Sequence, residues 1–204
     1  CRIYLYAGIV FGKKEDDSSK EKKFSVSGED SEIQISLSLE EAFFGTQKKI
    51  AFKSADGHTK KITLNIPKGI KKGGKIRIDD LGKPGINGGK PGNLYIRVDL
   101  KENDIFNIIG DDLFMNLDLT PWEAALGTEI RVKGIDSSIN VKVPKGVSSG
   151  ETIKIEGKGF WKDADKRGDL LLNVRIMIPK ELSESETLLF KRFEEISQFN
   201  PRIK

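Results

Sequence analysis

The sequence predicts an all-β fold: two tandem β-sandwich or flattened-barrel domains, each with a short helix, followed by a C-terminal amphipathic dimerisation helix. Three observations predict it. Apolar residues recur at every second position in short runs, the signature of strands with one wet and one dry face. Twenty-one glycines against seven prolines punctuate those runs as turns. The third is an internal repeat: Glu41-Ala42-Phe43-Phe44-Gly45-Thr46 recurs as Glu123-Ala124-Ala125-Leu126-Gly127-Thr128, and Ile66-Pro67-Lys68-Gly69-Ile70 as Val143-Pro144-Lys145-Gly146-Val147. Lys75-Ile76-Arg77-Ile78 then matches Thr152-Ile153-Lys154-Ile155, and Gly92-Asn93-Leu94 matches Gly168-Asp169-Leu170. The copies lie 82, 77 and 76 residues apart at the first, second and last motifs, so the order is kept and only loops change length.

The elements follow in order. Residues 1–12 are apolar but lack a basic lead-in and a small-residue cleavage site, so they are not read as a secretory signal. The chain opens on Cys1 rather than Met and is read as a fragment, with 1–28 a linker or an expression-derived segment; 13–28 is charged and poor in apolar residues. The first β-sandwich domain spans 29–104. Ile33, Ile35 and Leu37 alternate in one strand, Ile62, Leu64 and Ile66 in another, and Leu94, Ile96, Val98 and Leu100 in a third. The second domain spans 105–180, with Leu113, Met115, Leu117 and Leu119, then Ile139, Val141 and Val143, then Leu170 through Ile178. Stacking two sheets buries the dry faces. Ser38 with Glu41, and Thr120 with Glu123, are capping boxes for one short helix per domain, with Pro121 at a first helical position. Gly45 and Gly127 are expected to end these helices in the left-handed conformation. Pro67 and Pro144 lack an N–H donor and end strands or sit at edges. In the tail, 181–204, Ser183 and Glu186 form a third capping box, and Leu189, Phe193 and Ile196 follow at helical spacing. Folding back onto the second domain and pairing with a second copy of the chain both satisfy that stripe; symmetric pairing buries it twice and is preferred.

Composition limits the chemistry. With 37% hydrophobic and 32% charged residues the chain can form a core and remain soluble. No apolar run approaches the roughly eighteen residues needed to span a bilayer, so no membrane role is expected. One cysteine and one histidine rule out an internal disulfide and a Cys/His zinc cluster. Phosphate-cradling loops and nucleophile elbows are lacking, and the acidic clusters lie beside turn residues. No catalytic residue, metal ligand or cofactor is therefore expected, and His58 is read as a loop residue. The overall charge of +4 says little, but residues 47–90 hold twelve basic residues against Asp56, Asp79 and Asp80, a local +9. Solvated strand faces and a surface for phosphates or acidic peptides both account for it. Aromatic residues near strand boundaries, Phe43, Phe44, Phe52 and Phe106, suggest a groove that takes extended peptides by strand addition.

The motifs Leu39-Glu40-Glu41-Ala42-Phe43-Phe44-Gly45-Thr46, Ile66-Pro67-Lys68-Gly69-Ile70, Gly82-Lys83-Pro84-Gly85, Gly110-Asp111-Asp112-Leu113, Gly157-Lys158-Gly159 and Arg167-Gly168-Asp169-Leu170 together resemble the C-terminal region of DnaJ-type co-chaperones, the forty-kilodalton heat-shock class. The resemblance runs from about Asp30 to Leu189. It implies two substrate-binding sandwiches and a dimerisation helix. The family's J domain depends on a His-Pro-Asp triplet, whereas the one histidine here precedes Thr59; a single cysteine also excludes the family's zinc-binding insertion, which points to the zinc-free subclass. Carried over by resemblance, the peptide-binding residues are Ile33, Ile35, Ile50, Phe52 and Phe106, with Lys48 as a charge contact for the acidic C-terminal tail of a DnaK-type seventy-kilodalton chaperone. Leu189, Phe193 and Ile196 are the dimerisation residues. The resemblance thus implies a cytoplasmic homodimer that binds unfolded polypeptides in protein folding and stress response. The rival readings are a DNA-associated basic β protein and a structural scaffold that binds nothing.

Overall fold

The computed structural model describes residues 24–53 and 57–203. The first unit runs β1 (Ser31–Leu37), α1 (Leu39–Phe44), β2 (Thr46–Lys53), β3 (Thr59–Ile66), β4 (Lys75–Ile78) and β5 (Leu94–Leu100). The second runs β6 (Asn107–Ile109), β7 (Asp112–Leu119), α2 (Pro121–Leu126), β8 (Thr128–Lys133), β9 (Ser138–Val143), β10 (Thr152–Ile155) and β11 (Leu170–Ile176), and α3 (Glu184–Ile196) follows. Period-two alternation is realised throughout. In β1 the side chains of Ile33, Ile35 and Leu37 pack inward, while Glu32, Gln34 and Ser36 are exposed.

The repeated sequence builds a repeated topology. In the first unit β5 lies between β1, parallel to it, and β4, antiparallel, and β2 and β3 form a separate hairpin. The second unit places β11 between β7 and β10 in the same senses, with β8 and β9 as its hairpin. One strand breaks the symmetry: β6 adds antiparallel to the outer edge of β7, whereas among the described residues no strand adds to the outer edge of β1. Ile178, expected in the last strand, lies beyond it. Strand β11 stops at Ile176 because its partner β7 stops opposite, at Leu119, leaving Met177 and Ile178 exposed.

All three capping boxes form. Ser38, Thr120 and Ser183 each accept from the backbone N–H of Glu41, Glu123 and Glu186, whose carboxylates accept in return from the cap N–H at 2.9, 2.8 and 2.8 Å. The helix ends differ from expectation. Gly45 and Gly127 have φ of 73° and 78°, but ψ is 156° at both, so they are extended rather than left-handed helical. Only glycine adopts this region readily. A Cβ on Gly45 would also lie 2.7 Å from the Lys68 backbone nitrogen.

Two cores result. Leu37, Phe52, Leu64, Ile66, Leu94, Ile96 and Val98 form the first. The second gathers Leu113, Leu117, Leu119, Leu170, Leu172 and Val174 and also receives Leu39, Ala42 and Phe43 from α1. Helix α1 thus belongs to the first unit by sequence and to the second core by packing. At its end Phe43 meets Phe160 at 5.9 Å and Trp161 at 5.4 Å between ring centroids, and the Trp161 Nε1–H donates to the Phe43 carbonyl at 2.8 Å. The linker expected over 13–28 lies outside the described residues except for 24–28. There Val26 bridges Ile86, and the Gly28 N–H donates to the Lys90 carbonyl at 2.8 Å.

Candidate functional site

Ile33 and Ile35 stand two apart on β1, and Ile50 and Phe52 two apart on β2, so each pair shares a sheet face. All four pack on the first core: Phe52 is buried, and the three isoleucines are partly buried against it. Two sheets therefore contribute these four residues to one core. The strands that carry them each have a side without a partner, because β1 pairs only with β5 and β2 only with β3 among the described residues. Unpaired strand edges beside apolar side chains are what an extended chain needs in order to add as a further strand.

Lys48 lies on β2 two residues before Ile50. Its Nζ donates to both Glu41 carboxylate oxygens, at 2.9 and 3.0 Å. The bond from Lys48, with the Ser38 backbone N–H behind it, holds the Glu41 carboxyl below the usual glutamate range. The cation is thereby tied to the α1 capping box, and an incoming carboxylate would share it with Glu41.

Phe106 is placed elsewhere. It is buried in the second core, on a turn in which the Asn103 Oδ1 accepts from the N–H groups of Ile105 and Phe106 at 3.0 and 2.9 Å. With Leu39, Leu100 and Phe160 it lines a cavity of about 640 Å³ at the junction of the units, rimmed by Lys71, Lys72 and Lys101. The structure therefore brings together four of the five apolar candidates and sets Phe106 on the other core. Of the aromatics singled out in the sequence, Phe43 is buried too, and only Phe44 is largely exposed. Sequence reasoning missed Trp161, the residue that covers Phe43. The repeat held the signal, since Gly82-Lys83-Pro84 in the first unit corresponds to Gly159-Phe160-Trp161 in the second.

The local excess of positive charge is smaller in space than in sequence. Lys48, Lys72, Lys75, Arg77 and Lys83 pair with Glu41, Asp99, Glu32, Asp79 and Glu29, and Lys71 pairs with Asp111 across the units. Of the other six, Lys68 lies over the Trp161 ring and three share one face. Lys49 and Lys53 are exposed on the outer face of β2, and Lys61 stands opposite Ala51 between them. Among the described residues no acidic side chain lies on that face of the two strands, where Gln47, Thr59, Thr63 and Asn65 complete the pattern.

On α3 Leu189, Phe193 and Ile196 are exposed, at 69%, 64% and 64%, and none of the helix's residues is buried. The helix does not fold back onto the second unit. Leu188, equally exposed, extends the stripe; it was missed because it adjoins Leu189 rather than following at helical spacing. Among the described residues no His, Cys, Asp and Glu gather into a metal-binding group, and no helix is long and apolar enough to cross a membrane.

The DnaJ C terminal domain family matches residues 31–179. The chain belongs to that family. A Pseudomonas syringae pv. tomato protein named "Curved DNA-binding protein" is 32% identical over 96% of this chain and 65% of its own length. A Coxiella burnetii protein of the same name is 29% identical over 97% of this chain and 66% of its own length. "Chaperone protein DnaJ" of Mesoplasma florum is 36% identical over 74% of this chain and 41% of its own length. The chain thus spans less than two thirds of each of these DnaJ-type relatives.

Proposed function

We propose that this chain is the client-binding part of a DnaJ-type co-chaperone. It holds exposed apolar segments of unfolded polypeptides on the first unit and presents them to a DnaK-type seventy-kilodalton chaperone in the cytoplasm. The reading is carried by one coincidence: Ile33, Ile35, Ile50 and Phe52 pack on one core and lie on strands whose outer edges have no partner among the described residues. Backbone hydrogen bonds to such an edge give affinity with little sequence demand, which suits varied clients. Lys48, two residues from Ile50, receives a carboxylate of the partner chaperone's acidic tail, and Phe106 flanks the junction cavity rather than these strands. No chemistry on the client and no cofactor are involved.

Pairing of α3 with its copy through Leu189, Phe193 and Ile196 puts two binding sites in one particle and raises avidity for long chains through effective concentration. Phe193→Asp should give a monomer by light scattering with an unchanged melting temperature; a persisting dimer would refute the pairing.

The binding test uses an apolar peptide and the same peptide with alternate backbone nitrogens methylated. Strand addition predicts that methylation weakens binding by about tenfold or more, since each lost backbone bond counts. Equal affinities would reject it, and no binding of either peptide would favour the scaffold reading. A second reading, association with duplex DNA, is favoured by the face that gathers Lys49, Lys53 and Lys61 and by the names of the Pseudomonas and Coxiella relatives. It requires affinity that falls steeply with salt and a shallower slope for the triple Lys→Gln variant.

A further inference from the structure

The duplication repeats a socket as well as a fold, and among the described residues only one copy of the socket is filled. In the first unit the Gly69 N–H donates to the Ala42 carbonyl at 2.8 Å, which seats the turn after β3 against the end of α1. Trp161 fills the angle between them. Its Nε1–H bonds to the Phe43 carbonyl, the Lys68 Nζ lies 4.5 Å from its ring centre, and a Cβ on Gly69 would come within 2.7 Å of the Trp161 Cβ.

The second unit builds the same frame. The Gly146 N–H donates to the Ala124 carbonyl at 2.8 Å, Gly146 has a φ of 78° against 75° at Gly69, and Lys145 takes the place of Lys68. Among the described residues no side chain occupies it. A Cβ on Gly146 would meet nothing within 4 Å, Ala125 is exposed where Phe43 is buried, and Leu126 is 79% exposed. The exchange of Phe43 for Ala125 leaves room for a ring.

The direction of the contact explains the vacancy. The loop starting at Gly159 reaches back from the second unit to cover the helix of the first. Its counterpart starting at Gly82 also reaches back, to the preceding segment, where Lys83 pairs with Glu29 and Ile86 bridges Val26. Among the described residues no later loop covers α2, and α3 buries none of its residues there.

We propose that the α2–Gly146 socket docks a tryptophan-bearing segment of a partner polypeptide. The Trp161 contact inside the molecule specifies the chemistry: the indole N–H donates to the Ala125 carbonyl, the ring lies on Ala125 and Gly146, and the Lys145 ammonium covers it. The occupant comes from outside the chain. Of the two tryptophans in the sequence, Trp161 is engaged within the molecule, and Trp122, three residues before Ala125 on α2, belongs to the socket's own helix.

The probe is a fluorescein-labelled peptide with the sequence of residues 157–168, titrated against the full chain by fluorescence anisotropy. Saturable binding is expected, weakened about tenfold or more by Trp→Ala in the peptide and by Ala125→Glu or Gly146→Val in the protein, and unchanged by Ile35→Asp. Ala125 is exposed, so Ala125→Glu should keep the melting temperature even where the strained Gly146→Val fails to fold. The proposal is overturned by absence of binding, by equal binding of the Trp→Ala peptide, or by loss of binding in Ile35→Asp, which would assign the peptide to the client-binding strands. It is also overturned if Ala125→Glu halves the sedimentation mass of the peptide-free chain, since a second copy would then cover the face.

Discussion

The two units share strand order, strand sense, capping boxes and turn glycines, yet differ in what happens at their edges. In the first unit the outer edge of β1 has no strand partner among the described residues; in the second, β6 pairs with the equivalent edge of β7. The position of Lys48 in β2 is taken in β8 by Ile130, which packs on the core, so among the described residues the carboxylate of the capping glutamate bonds a lysine in the first unit and only Thr120 in the second. The helices are asymmetric in the opposite sense: Phe43 of α1 is buried against Phe160 and Trp161, while Ala125 at its position in α2 is exposed, although the last residue of each helix, Phe44 and Leu126, is exposed in both. A duplicated scaffold thereby becomes two surfaces of different chemistry, one suited to strand addition and one to a side chain. The duplication sets the frame, and the short insertions and exchanges at its margins set what each unit can bind.

The comparison can be broken most severely at the helices. Phe160→Ala opens a cavity where α1 meets the second unit and should cost about 3–5 kcal/mol in chemical denaturation, whereas Leu126→Ala on the bare α2 should stay within about 0.5 kcal/mol. Similar losses would show that α2 is as well packed as α1. A smaller effect distinguishes the strands. Ile35→Asp should weaken binding of an apolar peptide by about tenfold, or about 1.4 kcal/mol, while Met115→Asp on β7 should leave it unchanged. Equal losses would mean that β6 does not exclude clients from the second unit.

The smallest effect is electrostatic. Because the bonds from Lys48 and Ser38 hold the folded-state pKa of Glu41 below its unfolded value, this carboxylate adds stability above about pH 4.3 that is lost as pH falls through the lower folded value. The pair is one-third exposed, so solvent screening keeps its worth below about 1 kcal/mol. Glu41→Gln should lower the melting temperature slightly at pH 7 and flatten its decline in acid. An unchanged acid slope would remove Glu41 from the account.

Local signals in the sequence were sufficient for much of this. The capping boxes are readable because their partners lie three residues apart, and the strands because alternation is a property of single segments. Contacts between distant segments were not readable. Nothing near Phe43 indicates that a loop more than a hundred residues away would bury it, which is why it resembled a groove aromatic. Strand β6, at three residues, is too short to show a period, so the closure of β7 was invisible. The basic stretch looked stronger than it is because most of its neutralising carboxylates, Glu29, Glu32, Glu41, Asp99 and Asp111, lie outside it in sequence. Ile33, Ile35, Ile50 and Phe52 came from the family resemblance, and spacing added only that each pair shares a strand face, while the place of Phe106 depended on tertiary packing.

The central claim is that clients add to the first unit and not to its copy. Amide hydrogen exchange with and without a saturating apolar peptide tests it directly, since a new strand protects the amides of the edge it joins. Added protection is predicted within Ser31–Leu37 or Thr46–Lys53, with Asp112–Leu119 and Thr128–Lys133 unchanged. Protection confined to the second unit, or equal in both, would contradict it.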